Sequence, residues 1–284
     1  MAKARSSVFR SVASHAILLA YTFIALAPVI VIVLNSFKKK LAIFSQPLLP
    51  PLPSNYDPVG YVTVFSRGNF PLYFFNSIFV TVGTVFFVLL FGAMAAFALS
   101  EYRYRLNTVV GLYLAIGIMI PIRLGTNAIL QILVASGLIS ALPWGPLVAL
   151  ILVYTAAGLP LSIFILSEFM RQVSNDLKNA ARIDGMNEYK IFFRIVFPLI
   201  RPALATVAVF TLIPVWNDLW FPLILAPSES TKTVTLGAQI FVGQYLIDWN
   251  AVLASLSLAI LPVLVLYIIF SRQLIRGLTA GAVK

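Results

Sequence analysis

The sequence has 284 residues, of which 61% are hydrophobic and 10% charged, and its mean hydropathy is +0.98. A soluble domain carries roughly 25% charged residues, so this composition indicates a membrane protein. The chain has no cysteine and one histidine, His15, which excludes disulfides and iron–sulfur clusters and leaves His15 no partner for a metal site. The net charge of +11 does not indicate nucleic-acid binding, because the basic residues fall in short loops between apolar runs.

Six apolar segments are long enough to cross a bilayer as helices, which takes about 20 residues each. In chain order they cover roughly 14–36, 75–99, 108–130, 144–168, 202–225 and 251–271. With both termini on one side, that side holds fourteen Lys and Arg residues and the other side holds six. Cytoplasmic loops of membrane proteins carry an excess of Lys and Arg, which is the positive-inside rule, so this asymmetry predicts cytoplasmic termini. The lysine run at 38–40 opposes the rule locally. The predicted fold class is an all-α membrane protein with six transmembrane helices, forming a single domain over residues 1–284.

The cytoplasmic loop at about 171–201 is patterned as two short helices around a glycine. Ser174, Asn175 and Asp176 each offer a cap for the first helix, and Gly185 stands where a left-handed residue would end it. One face of this helix carries the residues at i, i+3, i+4 and i+7, which are Leu177, Ala180, Ala181 and Asp184. The two small alanines would let a partner approach closely. An ordinary solvated loop with helices at the membrane surface fits the same pattern.

A second helix is predicted after a cap at Asn187. Its apolar stripe consists of Ile191, Phe192, Ile195, Val196 and Leu199. Pro198 and Pro202 predict a bend into the fifth apolar segment.

The loop resembles a known motif. Ala180-Ala181-x-x-x-Gly185, followed after nine residues by Ile195-x-x-Pro198, is similar to the EAA loop of binding-protein-dependent ABC importer permeases. The resemblance implies the type I ABC importer permease fold and a coupling helix that fits a cleft on a cytoplasmic ATPase. The ATPase-coupling residues it implies are Asn179, Ala180, Ala181, Asp184, Gly185, Ile195 and Pro198. The usual leading Glu is Asn179 here, and Phe197 replaces the usual Leu.

Further strings resemble the carbohydrate-uptake branch, in particular its maltose permease G-type subunit. They are Phe193–Pro198, Arg201–Ala205, Trp216-Asn217-Asp218 and the C-terminal run 276–284. The resemblance implies import of a sugar or glycoside together with an F-type permease as heterodimer partner. It also implies two copies of the ATPase, which carry ATP and Mg, and a periplasmic or lipid-anchored sugar-binding protein. This chain would bind no cofactor itself, and its tail at about 272–284 would contact the ATPase through Gly277, Thr279 and Gly281, although disorder is the default for such an end.

The segment around Asp218 is the candidate substrate pathway. Nine acidic residues are scattered along the chain, and only Asp218 has apolar sequence close on both sides. Aromatic rings stack on sugar rings while amide and carboxylate groups bind hydroxyls, so Trp216, Asn217, Asp218 and Trp220 suit a sugar. One alternative is that Asp218 lies near the outer end of its helix, solvated or capped by Asn217. Another is that the aromatic residues of this segment form a belt at the membrane interface.

The chain has no Gly-x-x-x-x-Gly-Lys-Ser/Thr phosphate-binding loop, so a separate subunit must handle ATP. An ion-gradient-driven secondary transporter is the competing class, and it predicts intramembrane carboxylates in paired halves. An intramembrane enzyme lacks candidate nucleophiles and metal ligands in this sequence.

Overall fold

The computed structural model describes residues 2–102, 104–243 and 247–280, and this part of the chain is mostly helical. Its helices are α1 Ala2–Asn35, α2 Lys40–Ser45, α3 Val59–Arg67, α4 Phe70–Glu101, α5 Asn107–Met119, α6 Thr126–Ala135, α7 Leu138–Ala141, α8 Gly145–Arg171, α9 Asn175–Ile183, α10 Glu188–Ile191, α11 Phe197–Leu199, α12 Arg201–Asn217, α13 Trp220–Leu225, α14 Val234–Ala238 and α15 Trp249–Ala280. There are 3₁₀ turns at Ile122–Gly125 and Gln239–Phe241, and a π-helical turn at Phe192–Val196. These ranges contain isolated β-bridges but no strand.

Among the described residues, three unbroken helical segments are long and apolar enough to cross a membrane: Ser11–Asn35, Phe70–Glu101 and Gly145–Arg171. They match the first, second and fourth predicted segments. Two bent helix pairs bring the number of candidates to five if each pair is one span. The last predicted segment lies within α15, which continues to Ala280, nine residues beyond the predicted end at 271.

The third and fifth predicted segments are not continuous helices. Within the third, α5 ends at Met119, and the chain turns by 84° before Ile122–Ala135. Pro121 lies at this break, where its ring favours extended backbone at Ile120. In the fifth, α12 ends at Asn217 and Asp218 is extended, so the predicted helix over 202–225 is interrupted there. The predicted bend ahead of this segment is confirmed, because Glu188–Leu199 and Arg201–Asn217 meet at 77°.

One compact unit comprises Met1–Asn69 and Ala238–Leu261. Lys38, the first residue of the outer lysine run, is fully buried in it. Its Nζ donates to Asn35 Oδ1 at 2.9 Å and to the backbone oxygen of Gln46 at 2.8 Å. Burial lowers the pKa of Lys38. Lys38, one of the lysines that oppose the positive-inside rule, therefore holds the turn after α1 together through hydrogen bonds.

The second compact unit comprises Phe70–Gly237 and Pro262–Lys284. In it α4 packs along α8, and α12 packs against both. Small residues bring α4 and α8 together: a Cβ on Gly92 would lie 2.4 Å from Ser162 Oγ, and one on Gly158 would lie 3.0 Å from Val88 Cγ2. Close approach at small residues is typical of helices packed in a membrane. The candidate residues described next all lie in this unit.

Candidate functional site

The first loop helix forms as its sequence predicts. Ser174 Oγ accepts from the backbone N–H of Asp176 at 3.2 Å and caps α9. At the other end Gly185 has φ +78°, with Gly185 N donating to Arg182 O at 3.1 Å and Met186 N donating to Ala181 O at 3.0 Å. These two bonds form the Schellman ending, which favours glycine at the left-handed position. The predicted helix–glycine–helix pattern is confirmed.

The two alanines of the motif point in different directions. Ala181 is buried in an apolar cluster with Phe97 of α4 and Met170 of α8, whereas Ala180 is exposed. The sequence placed both on one face open to a partner, and for Ala181 this is wrong. A helix that lies against its own domain must bury one face, and here that face carries Ala181 and Lys178. Ala180 and Asp184 remain on the open side.

The open side of the loop also carries large apolar side chains. Ile183 is 87% exposed, Tyr189 is 70% exposed and Leu177 is 46% exposed. Exposed apolar side chains on a charged loop are typical of a protein interaction surface. We call Leu177, Ala180, Ile183, Asp184 and Tyr189 the coupling surface.

The second loop helix begins at its predicted cap, where Asn187 Oδ1 accepts from the backbone N–H of Lys190 at 3.0 Å. Ile191, Phe192 and Val196 are buried as expected of the apolar stripe, and Ile195 and Pro198 are half-buried. Leu199 is 54% exposed and does not belong to the buried stripe. The π-helical turn at Phe192–Val196 lies between Asn187 and Leu199. Because its spacing differs from that of an α-helix, Leu199 does not lie on the buried face that α-helical spacing from Ile191 predicts.

An ionic cluster that the sequence did not predict lies under α9. Glu101, the last residue of α4, bonds to Lys178 and also accepts from Arg182 Nη2 at 2.5 Å. Arg182 Nε donates to Glu188 Oε1 at 2.8 Å. Hydrogen bonds to Glu188 and Glu101 raise the pKa of Arg182, so it stays charged. Glu101 is 77 positions from Lys178, and no local pattern could have paired them.

Asn179, which stands where the family motif has Glu, takes part in the same cluster. Its Oδ1 accepts from Arg182 Nη1 at 2.8 Å. The neutral side chain is thus engaged within the loop.

Asp218 is buried at the break between α12 and α13. Its carboxylate accepts from Tyr154 Oη at 2.7 Å and from Arg123 Nη2 at 3.2 Å. It also accepts from the backbone N–H of Phe221, in the first turn of α13, at 3.1 Å. Asp218 is neither open to solvent nor paired with Asn217, as the alternative prediction had it. Its apolar flanks were the one signal of burial in the sequence.

A cavity of about 280 Å³ opens beside this carboxylate. Arg123, Tyr154 and Asp218 form its polar end, while Ser162, Thr211 and mostly apolar residues of α8 and α12 line the rest. Of the four candidate pathway residues, Asp218 lines this cavity. Such a pocket, apolar with a few convergent polar groups, is the usual form of a small-molecule site.

The other three candidate pathway residues have different surroundings. Trp216 is buried, with its ring edge-on to Phe74 at a centroid distance of 5.7 Å. Asn217 is exposed, and its Nδ2 donates to the backbone oxygen of Ile213 at 3.0 Å. Trp220 is 43% exposed, and its Nε1 donates to Thr126 Oγ1 at 3.0 Å.

The predicted tail residues lie at the end of the described chain. Gly277 and Thr279 belong to α15, which reaches Ala280. Gly281 lies outside the described residues.

The loop 174–199, called the coupling loop from here on, has the pattern of a known family. A comparison with family models decides whether the chain belongs to that family. The family described as the binding-protein-dependent transport system inner membrane component matches residues 65–279. The chain belongs to this family. The permease is 35% identical over 266 residues to a putative ABC transporter permease protein of Caldicellulosiruptor sp. (strain Rt8B.4), covering 93% of this chain and 94% of the relative.

A second relative is the diacetylchitobiose uptake system permease protein of Streptomyces coelicolor, 30% identical over 288 residues, with 100% of this chain and 93% of the relative covered. Among solved structures, a chain of a bacterial ABC transporter involved in the import of the acidic polysaccharide alginate aligns with a TM-score of 0.76. Its identity is 23%, and the match covers 94% of the permease and 97% of that chain. The similarity shows the ABC importer permease fold.

Family membership places the permease in the inner membrane as a multi-pass transport component. It is not an enzyme, since ATP hydrolysis in such importers belongs to a separate subunit. It therefore works with a partner permease, an ATPase and a binding protein.

Proposed function

We propose that the permease forms half of the pore of an ATP-driven importer for a sugar or glycoside of di- or oligosaccharide size. The observation that carries this proposal is the capped loop 174–199 with its exposed coupling surface. The carbohydrate-type strings in the sequence and the diacetylchitobiose relative support the substrate class. Specificity for one sugar then depends on the binding protein and the partner permease as well as on this chain.

The proposed arrangement in the membrane has six spans and both termini in the cytoplasm, with residues 1–284 acting as one permease domain. Three spans would be the unbroken segments, and the fourth would be the bent pair Asn107–Met119 with Ile122–Ala135. The fifth would be the segment 202–225 and the sixth the apolar helix Trp249–Val265. The excess of Lys and Arg on the terminal side supports the orientation. The loop 171–201 then faces the cytoplasm, where an ATPase can reach it.

The proposed assembly pairs this G-type chain with one F-type permease and two ATPase copies, and it receives sugar from a periplasmic or lipid-anchored binding protein. ATP and Mg bind on the ATPases, and this chain binds no cofactor. Closure of the ATPases displaces the loops and opens the pathway outward. The exposed Ile183, Leu177 and Tyr189 provide apolar area for the ATPase cleft, and Ala180 leaves space for its wall.

The motif residues have three roles within this proposal. Ala180 and Asp184 face the ATPase, while Gly185 sets the angle between the two loop helices. Asn179, Ala181, Ile195 and Pro198 hold the loop in shape from within or beneath it.

The proposed pathway in this chain includes Trp216, Asn217, Asp218 and Trp220. The cavity beside Asp218 and the exposed faces of Asn217 and Trp220 support contact with a passing sugar. Buried Trp216 would shape the pathway through its packing against Phe74. Alanine at Asn217 should lower uptake without loss of ATPase binding, and equal loss of both would assign the segment to packing.

The tail, through Gly277, Thr279 and Gly281, is proposed to contact the ATPase. Deletion of residues 278–284 should weaken copurification of the ATPase. Normal transport by the truncated permease would remove this part of the proposal.

The decisive experiment is coexpression of the permease with its partner permease, ATPase and binding protein, followed by copurification and reconstitution into vesicles. An ATPase should copurify, and uptake of radiolabelled diacetylchitobiose or another sugar from a panel should need ATP and stop with vanadate. Uptake that persists with vanadate but stops when the ion gradient is collapsed would instead indicate a secondary transporter.

A further inference from the structure

In the part of the chain that the structure describes, the carboxylate of Glu101 at the end of α4 bonds to two side chains of α9. One oxygen of Glu101 bonds to Lys178, and the other accepts from Arg182 Nη2 at 2.5 Å. Lys178 and Arg182 are four residues apart and therefore stand one above the other on the same side of α9. The carboxylate is held by two successive turns of the helix.

Most of this contact is withdrawn from water. The Glu101 and Lys178 side chains are 9% and 6% exposed, whereas the Arg182 side chain is 32% exposed. Removing one member of such a buried pair leaves the other charge without a partner, which is far more disruptive than loss of an exposed pair. The bond therefore resists separation of the two helices.

The same guanidinium extends the contact to the second loop helix. Arg182 bonds to Glu188, the first residue of α10, through Nε at 2.8 Å and Nη2 at 3.2 Å. The cluster thus links α9 and α10 with the end of α4. Because α4 packs along α8 and against α12, a displacement of the loop has a direct route into the helices that line the cavity.

We propose that Glu101 is a positioning residue that ties the coupling helix α9 to α4, so that a movement imposed on α9 by the ATPase is carried into α4. This inference rests on the proposed function, because it takes the loop as the ATPase docking element. Ala181 and Phe97 also belong to one buried apolar cluster. Apolar contacts can slide, whereas the Glu101 carboxylate cannot shift along α9 without breaking its two bonds.

The test measures whether α9 and α4 move together. The chain has no cysteine, so spin labels can be placed at Ala98→Cys on α4 and Asn175→Cys on α9, both exposed positions. The labelled permease is purified in its complete complex and studied by electron paramagnetic resonance with ADP or with ATP and vanadate. With Glu101 present, we expect one narrow distance distribution whose maximum differs by less than about 2 Å between the two states, the scale of a small packing adjustment.

The main variant is Glu101→Leu with Lys178→Met, which removes both buried charges and leaves none unpaired. We expect its complex to assemble but its label distance to shift or broaden when ATP and vanadate replace ADP. Glu101→Gln, which keeps the side chain's shape, is a second variant with the same expected effect. The matched control is Glu168→Gln, since the Glu168–Arg171 pair is 3.9 Å apart and more than 60% exposed on both sides; it should behave as the unmodified chain does.

Two results would overturn the inference. One is an unchanged distance in both Glu101 variants, and the other is a large nucleotide-dependent shift in the unmodified chain. Failure of the unmodified permease to copurify with an ATPase would be a different result, because it would contradict the proposed function itself.

Discussion

The left-handed conformation of Gly185 makes the coupling loop sensitive to a single methyl group. At φ +78° a Cβ on Gly185 would meet no atom within 4 Å, so Gly185→Ala tests backbone strain without steric contact. Left-handed backbone costs a non-glycine residue about 1–2 kcal/mol, and the lower entropy of the unfolded chain offsets about 0.4–1 kcal/mol of that. The net loss is roughly 1 kcal/mol, or about fivefold in the equilibrium ratio of the correctly bent loop to its other conformations.

The assay is the affinity of the purified ATPase for the reconstituted permease pair, which we expect Gly185→Ala to weaken by up to about fivefold if only the correctly bent loop docks. The matched control is Gly111→Ala, because Gly111 also has open space around its Cβ position but lies inside α5. Alanine is preferred over glycine by up to about 1 kcal/mol inside a helix, so this variant should bind the ATPase normally. Gly185→Asn should retain more affinity than Gly185→Ala, because asparagine tolerates the left-handed region. Equal affinities for Gly185→Ala and the unmodified chain would refute the reasoning.

Three further substitutions test other parts of the structure. Asn179→Glu should leave ATPase copurification and vanadate-sensitive uptake intact, because a carboxylate can accept the same guanidinium bond; loss of transport would show that the neutral side chain is required. Tyr154→Phe removes the hydroxyl that donates to Asp218 at 2.7 Å, and it should destabilise the permease by about 1–3 kcal/mol, seen as a lower melting temperature. Gly237→Ala would place a Cβ 2.3 Å from the ring of buried Tyr73 and should cost about 1–3 kcal/mol in the same measurement; an unchanged melting temperature would contradict the packing described.

The coupling loop was predictable because its determinants are local. Ser174 and Asn187 cap helices through their own side chains, and Gly185 ends one through its backbone freedom. Each of these effects acts over three or four residues and is therefore visible in the sequence. The prediction that Ala180 and Ala181 lie together on an open helix face was wrong for Ala181. Periodicity identifies which residues share a face of a helix, but not what packs against that face.

The features that join distant segments were not predictable. Glu101 was one of nine scattered acids, and its partners are 77 and 81 positions away. The helix break at Asp218 could not be predicted from hydropathy. Apolar residues continue on both sides of Asp218, and hydropathy does not show where a helix ends. Pro121 was the available signal for the other break, since proline restricts the residue before it to extended backbone.

The tight passage of α4 against α8 has a mechanical consequence. At Gly92 the gap does not admit a Cβ without displacing Ser162, and the next turn of α4 carries Val88, so sliding by one turn would bring a branched side chain into that gap. We therefore expect the two helices to move together as one rigid unit. We expect an opening pathway to bend instead at the breaks between helices of this unit: residues 120–121, Ile200 and Asp218.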